Sequence, residues 1–589
     1  ISSDSFKIRN NKYQKKIVEI SDGNARLAVM AARLANIKQT EFLWGDVSDL
    51  FDTYFDKFIS DFDLFENRTV LKVLGIISFF YTINRNNKVF IDSIIKLFDI
   101  DYYDFNEAIE ELHKRELIEV QYNHARISEQ VMATYFFYRV FIKDNILSFE
   151  VLLNNFFADW KSRFKDSIIP ANNSFGYENV ITKIDYDLSK YLQSISENED
   201  AVLNFLDLFW FYKPEDTMAY FYNKTSILPE PESPIYLTDY ETNDFVHEKE
   251  QTLDFISRFF NHLTEWFKPS IELGFEYVRK KPEHLPEFIR RIRENLMFDE
   301  PDERIGFKRQ VDFVEILVEN FNSNKPQYIS TFFALAKSFL AHSFHATHGG
   351  RNHTITWYNY PLPFYDVTKE LRTKIWETLF KSYETYPDEV FNVIKDFKPT
   401  HHDLVPDIMD YDLCLLVPFI SEKLSPTIFK HAYFVHDMIY WNDREEKITN
   451  RSYRELKQKF LTEEYLTFCK LDWNKLRDKH EFDYDFNDWK EYDNLKSEEI
   501  RKNFVFKEES QFNKLLTAIE NIQSIKENDY FSAGQSIDIV VEENFIKDNE
   551  LSFKLLQLIL NNYPKGLQLL YRTTRLIVDR KSTRLNSSH

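Results

Sequence analysis

Only 10 of the 589 residues are glycine, against a usual share of about 7%. Glycine supplies the positive-φ positions that tight hairpins and close backbone–phosphate approaches need. Its scarcity therefore disfavours Rossmann sheets, β-sandwiches and propellers. What remains is a mainly α chain whose packing rests on aromatic side chains, with 56 Phe and 33 Tyr. A chain this long exceeds what one core serves, so about two to four domains are expected. The formal net charge of −21 repels nucleic-acid phosphate and anionic membrane surfaces, so neither is expected as a partner. Two cysteines, Cys414 and Cys469, are too few for a disulfide framework or a Cys-based metal site. No apolar run approaches the roughly 18 residues of a membrane span, and a cytoplasmic protein is expected.

Hydrophobic spacing divides the chain further. Residues 1–65 read as a small helical domain, with helices over 6–20, 25–34 and 46–62. In residues 66–145, Val70, Val73, Leu74, Ile77 and Phe80 line one helix. A second is lined by Ile91, Ile94, Ile95 and Phe98, and a third by Phe105, Ala108, Ile109 and Leu112. The alternation in 118–122 and 124–127 predicts two strands around a turn at Asn123. Helix, helix, helix, hairpin is the winged-helix order. The third helix carries Asp104, Glu107, Glu110 and Glu111, an acidic face unsuited to a DNA groove.

From 146 to 578 the pattern becomes helix, short loop, helix, split here into 146–340 and 341–578. Pro214, Pro326 and Pro387 fit first helical positions, where no N–H is needed. No fixed period emerges, so an irregular α-solenoid of TPR or HEAT type is expected rather than a regular array. The polar, Pro-rich stretch 226–250 reads as a linker, and the acid-rich 479–499 as a surface insertion. Residues 579–589 resemble translated sequencing-adapter sequence and are set aside.

The segment Asp22-Gly23-Asn24-Ala25-Arg26-Leu27-Ala28 opens an Ala/Leu-rich helix whose free backbone N–H groups suit an anion. It resembles the Gly-x-Pro motif ("GNPRLA") of STAND NTPases, the AAA+-like signal-transducing switch ATPases. There the motif lies in a helical lid, followed by a winged helix and a helical sensor region. The resemblance implies that Gly23, Asn24 and Arg26 lie near nucleotide, with Ala25 in the family proline's place. It implies ATP or ADP as cofactor of an intact protein, a target protein as partner, and a self-oligomer on activation. In bacterial members of this layout the target is a phage protein and the role is antiviral defence. No G-x-x-x-x-G-K-[ST] occurs in this chain, so the P-loop domain is expected upstream in a longer reading frame. No cofactor is assigned to this chain itself.

Catalytic signatures are absent from the sequence. There is no G-x-S-x-G, no H-E-x-x-H, and only a lone Glu110-x-x-His113, so no enzyme is expected within this chain. His342, His345, His348, Gly349, Gly350, Arg351, Asn352 and His353, with His401 and His402 later, form the one suggestive cluster. Imidazoles at i and i+3 of a helix can share a face for zinc. No Glu or Cys ligand is in register, however. A structural turn is the preferred reading, with a partner-binding loop or a metal site as alternatives. A non-catalytic helical scaffold and a winged-helix transcription regulator are the rival functional classes.

Overall fold

The computed structural model describes residues 67–127, 130–233, 250–349, 355–398, 405–476, 479–480, 489–526 and 533–562, with isolated positions between 14 and 32. The expected lid over 1–65, including Gly23, Asn24 and Arg26, therefore lies outside the described residues apart from those positions. So does the tail over 579–589. The protein is mainly helical, as its composition predicts. It divides into two compact units, Ile1–Tyr222 and Asn223–His589. That division falls inside the stretch 146–340, which the sequence alone treats as one region.

The first unit begins with α1 (Arg68–Phe80), β1 (Thr82–Asn84), α2 (Lys88–Leu97), α3 (Tyr102–Lys114), β2 (Ile118–Gln121) and β3 (His124–Ile127). All three helices start on a side-chain cap: Asn67 for α1, Asn87 for α2 and Asp101 for α3. Each satisfies N–H groups that the first turn leaves orphaned. The hairpin pairs Ile118 with Ile127 and Gln121 with His124. β1 adds to its other edge, pairing Ile83 with Ala125, to give the order β1-β3-β2. This third strand was not predicted, because Thr82-Ile83-Asn84 is too short to show alternation. Alternation puts Ile83, Ala125 and Ile127 inside, all fully buried or nearly so.

The chain continues through α4 (Gln130–Phe137), a π-helical turn (Tyr138–Lys143), α5 (Phe149–Phe175), α6 (Tyr177–Ser194), α7 (Glu199–Phe209) and α8 (Pro214–Ser226). The core of the sheet-bearing module runs on into these helices. Phe79 meets Phe164 of α5 edge-on at 4.8 Å, and Phe80 meets Phe156 and Trp160 at 5.1 and 5.0 Å. Arg163 donates to the Phe79 carbonyl at 2.9 Å. A Cβ on Gly75 would stand 2.5 Å from the Val140 side chain, so only glycine lets α1 approach the π-turn this closely.

The second unit comprises α9 (Gln251–His262), α10 (Phe267–Lys280), α11 (Leu285–Leu296), α12 (Glu300–Glu303), α13 (Lys308–Asn322) and α14 (Pro326–Phe339). A hairpin, β4 (Ser343–Gly349) and β5 (Ile355–Pro361), follows, then α15 (Asp366–Ser382), α16 (Pro387–Ile394), α17 (Pro406–Lys423) and α18 (Phe429–Arg444). From α9 to α17, helices pack mainly on those one and two places away in sequence. The prolines at 214, 326 and 387 open α8, α14 and α16 as expected.

The unit closes with α19 (Leu456–Lys459), α20 (Glu463–Phe468), the short pair β6 (Lys475–Leu476) and β7 (Lys479–His480), and α21 (Trp489–Asn503). α22 (Ser510–Ile525), α23 (Ala533–Lys547) and α24 (Asn549–Asn562) complete it. The surface insertion expected over 479–499 is corrected here. Tyr492 and Lys496 of α21 are fully buried, and Tyr492 donates to the Trp473 carbonyl at 2.6 Å. Its acidic composition hid one inward-facing stripe.

Candidate functional site

Two regions bear on function. The first is the solvent face of α3. Helical spacing buries Phe105, Ala108, Ile109 and Leu112 against the module core and leaves Asp104, Glu107 and Glu110 exposed. Glu110 pairs with Arg85 at 2.8 Å, which ties α3 to the turn after β1. Arg85 also donates its backbone N–H to the Asn123 carbonyl at the hairpin tip, at 2.7 Å. Helix and hairpin are thereby held as one rigid face. Its exposed carboxylates repel phosphate, and Tyr122 at the tip and Tyr103 at the start of α3 stand 97% and 82% exposed.

The second region holds the histidine cluster. The zinc alternative needs His342 and His345 on one helical face, but His342 lies in a bend after α14 and His345 in β4, which starts at Ser343. With neither residue on a helix, the two imidazoles do not form the helical pair considered for zinc. His345 is exposed and unpaired with His342, and 350–354 and 401–404 lie outside the described residues. Among the described residues no three His, Cys, Asp or Glu side chains converge as metal ligands.

His342 instead belongs to a buried network. Arg372 of α15 and Asp412 of α17 are both wholly buried. Arg372 Nε donates to Asp412 at 3.0 Å, and its two terminal nitrogens reach the Ala341 and Leu340 carbonyls at 3.0 and 2.9 Å. Trp376 Nε1 donates to the same carboxylate at 3.0 Å, and His342 Nε2 lies 3.8 Å from it. Burial pushes the Asp412 carboxyl up, but Arg372 and His342 outweigh burial and hold it below its ordinary range. This network fastens the end of α14 and the entry to β4 onto α15 and α17. It forms one wall of a cavity of about 610 Å³ whose lining includes Phe298, Lys337, His342, Phe344, Trp376 and Phe397. The lining combines aromatic side chains with charged ones, Lys337 being paired to Asp396.

A further ionic cluster went unseen in the sequence. Lys475 Nζ lies 3.7 Å from Asp437 and 4.0 Å above the Tyr433 ring. Lys526 lies 3.3 Å from Asp437, and Tyr433 donates to Asp472 at 2.6 Å. Burial lowers the Lys475 ammonium against the pull of the two carboxylates, and raises the Cys469 thiol to about 11. Lys496 donates to the carbonyls of Lys470, Asp472 and Lys475. These residues join α18, α21, α22 and the loop before β6. Their separation in sequence, from 433 to 526, left no local signal to find them by.

Among the described residues no helix is long and apolar enough to cross a membrane. No protein-family model matches the chain, and no curated protein is significantly similar to it.

Proposed function

We propose that this chain is the lid, winged-helix and target-sensing part of a STAND-type nucleotide switch, and that the second unit captures a target protein. The observation that carries the reading is the order helix, strand, helix, helix, strand, strand over 68–127, with its β1-β3-β2 sheet. This module follows the Gly23–Ala28 segment at the spacing that the resemblance implies. In this reading the resting switch clamps ADP through Gly23, Asn24 and Arg26. Target binding on the helices shifts the winged helix and lid, ATP enters, and the subunits oligomerise. The activity of bacterial proteins of this layout makes antiviral defence the biological setting. The acidic face of α3 supports a relay surface for protein and argues against the transcription-regulator alternative.

The test is made in a full-length protein carrying a P-loop domain. Deleting residues 23–28 should strip most of the co-purified ADP, read by chromatography of the denatured protein. Nucleotide content equal to that of the parent would overturn the reading.

A further inference from the structure

In the second unit, β4 and β5 form a two-stranded sheet with no third strand among the described residues. One contact at its base fixes the bonding pattern: Leu362 donates its N–H to the His342 carbonyl at 2.8 Å. The register pairs Ser343 with Pro361 and His345 with Asn359. Hydrogen bonds in an antiparallel pair fall at every second residue, so Ser343 and His345 occupy the positions between them. Their N–H and C=O groups point away from β5. Among the described residues none bonds to these groups, and His345 is exposed.

The two outer edges of the hairpin differ. Pro361 takes the corresponding outward position of β5, and its ring removes the N–H that a further strand would need. The β4 edge carries no proline from 343 to 349. Such an unprotected edge is a template for another extended backbone, because donors and acceptors alternate along it at strand spacing.

The cavity of about 610 Å³ adjoins this edge: Ser343, Phe344 and His345 line it, and no residue of β5 does. The carboxylates of its lining are already engaged. Asp396 pairs with Lys337, Glu294 with Arg290, and Asp299 accepts the N–H of Asp302 at 2.8 Å. Arg293 donates to the Ala334 carbonyl at 3.3 Å, and His342 faces Asp412. What the cavity leaves for an occupant is the aromatic wall of Phe298, Phe344 and Phe397, and that wall suits an apolar side chain.

We propose that β4 takes up an extended segment of another protein as a third strand, with an apolar side chain of that segment seated among Phe298, Phe344 and Phe397. Pairing through backbone groups supplies affinity for any strand, and the cavity selects the side chain. The inference rests on the reading of the second unit as a target-capturing surface, and names the form in which the target is held.

The probe is fluorescein-labelled Lys-Thr-Phe-Thr-Phe-Thr-Glu, titrated with the full chain and followed by anisotropy. Two analogues carry backbone N-methyl groups, one on both Phe and the other on all three Thr. Only alternate N–H groups of an added strand face its neighbour, so one analogue should bind at least about tenfold more weakly and the other like the parent peptide. These peptides test the backbone without altering the protein. His345→Pro, which removes an outward N–H and no hairpin bond, should weaken the parent peptide at least about fivefold. Replacing both Phe of the peptide by Ala should weaken it by a similar factor, and Ser338→Phe, which fills the cavity from α14, should erase that difference. No saturable binding, or equal binding of the two methylated analogues, would overturn the proposal. Indifference to the Phe-to-Ala change would overturn the role of the cavity. Self-association of the chain that His345→Pro abolishes would overturn the assignment to another protein in favour of a second copy. Absent peptide binding with ADP retention still dependent on residues 23–28 removes this site alone. Peptide binding with ADP retention independent of those residues removes the switch alone.

Discussion

The sheet-bearing module of the first unit and the α14–α18 region of the second solve the same packing problem with different materials. In the module, α1 meets α5 through aromatic edges, and α1 meets the π-turn through a glycine contact. In α14–α18, a hairpin and three helices converge on wholly buried Arg372 and Asp412. An apolar joint loses stability in proportion to the atoms removed. A buried ionic joint is nearly neutral when both partners are replaced by apolar groups, and fails sharply when one is lost. The two regions should therefore respond oppositely to single and paired substitution.

The largest effect is expected at the ionic joint. Asp412→Ala strands Arg372 without its counter-charge and should cost about 3–5 kcal/mol, with hydrogen exchange accelerating around 340–345 and 366–382. Arg372→Met combined with Asp412→Leu should recover most of that loss. A double variant as unstable as the single one would break the comparison.

Next comes the module. Gly75→Val drives new methyl groups into Val140, and overpacking of this kind costs about 1–3 kcal/mol or more. Val140→Ala in the same chain should relieve part of it. Thermal melting of both variants checks this, and full additivity of the two substitutions would show that the α1–π-turn contact is not the tight one.

A smaller, pH-dependent effect distinguishes the second unit. Burial, with Lys430 adding to it, lowers the His431 imidazole from 6.5 to about 4, and its Nδ1 accepts the Ser425 N–H at 3.2 Å. Because the folded pKa lies below the unfolded one, the unfolded chain takes up the proton first. The His431 contribution is complete above about pH 6.5 and is lost as pH falls toward 4. Urea titrations across that window should show a fall of stability that His431→Gln abolishes. Asp412, held low by Arg372, adds its own loss at more acid pH, as the carboxylate protonates.

The smallest effect sharpens the account of the module's start. Asn67 accepts the N–H groups of Thr69 and Val70 at 3.1 and 3.3 Å. Asn67→Ala should cost about 1 kcal/mol, and Asn67→Asp should retain most of the cap. Chemical denaturation of the two variants separates capping from a mere surface change.

Local pattern carried far in this protein. Three capped helices and a hairpin over 68–127 were legible because each buries a face at its own period, 3.6 for α1–α3 and 2 for β2 and β3. Prolines 326 and 387 marked helix starts for the same local reason. β1 escaped notice because three residues carry no period, and α21 because its acids outnumber the side chains that turn inward. The metal alternative for His342 and His345 fails, since residue type alone does not say whether spacing is to be read on a helix or on a strand.

By itself, then, the sequence determined the mainly helical class, the order of α1, α2, α3, β2 and β3 in the module and the acidity of α3. These follow from glycine scarcity, hydrophobic period and charge, all of which act over a few residues. Only the tertiary structure decided that Arg372 meets Asp412 and that Lys475 and Lys526 share Asp437. Such pairings depend on where distant helices cross, and long-range contacts of charged groups leave no mark on the chain near either partner.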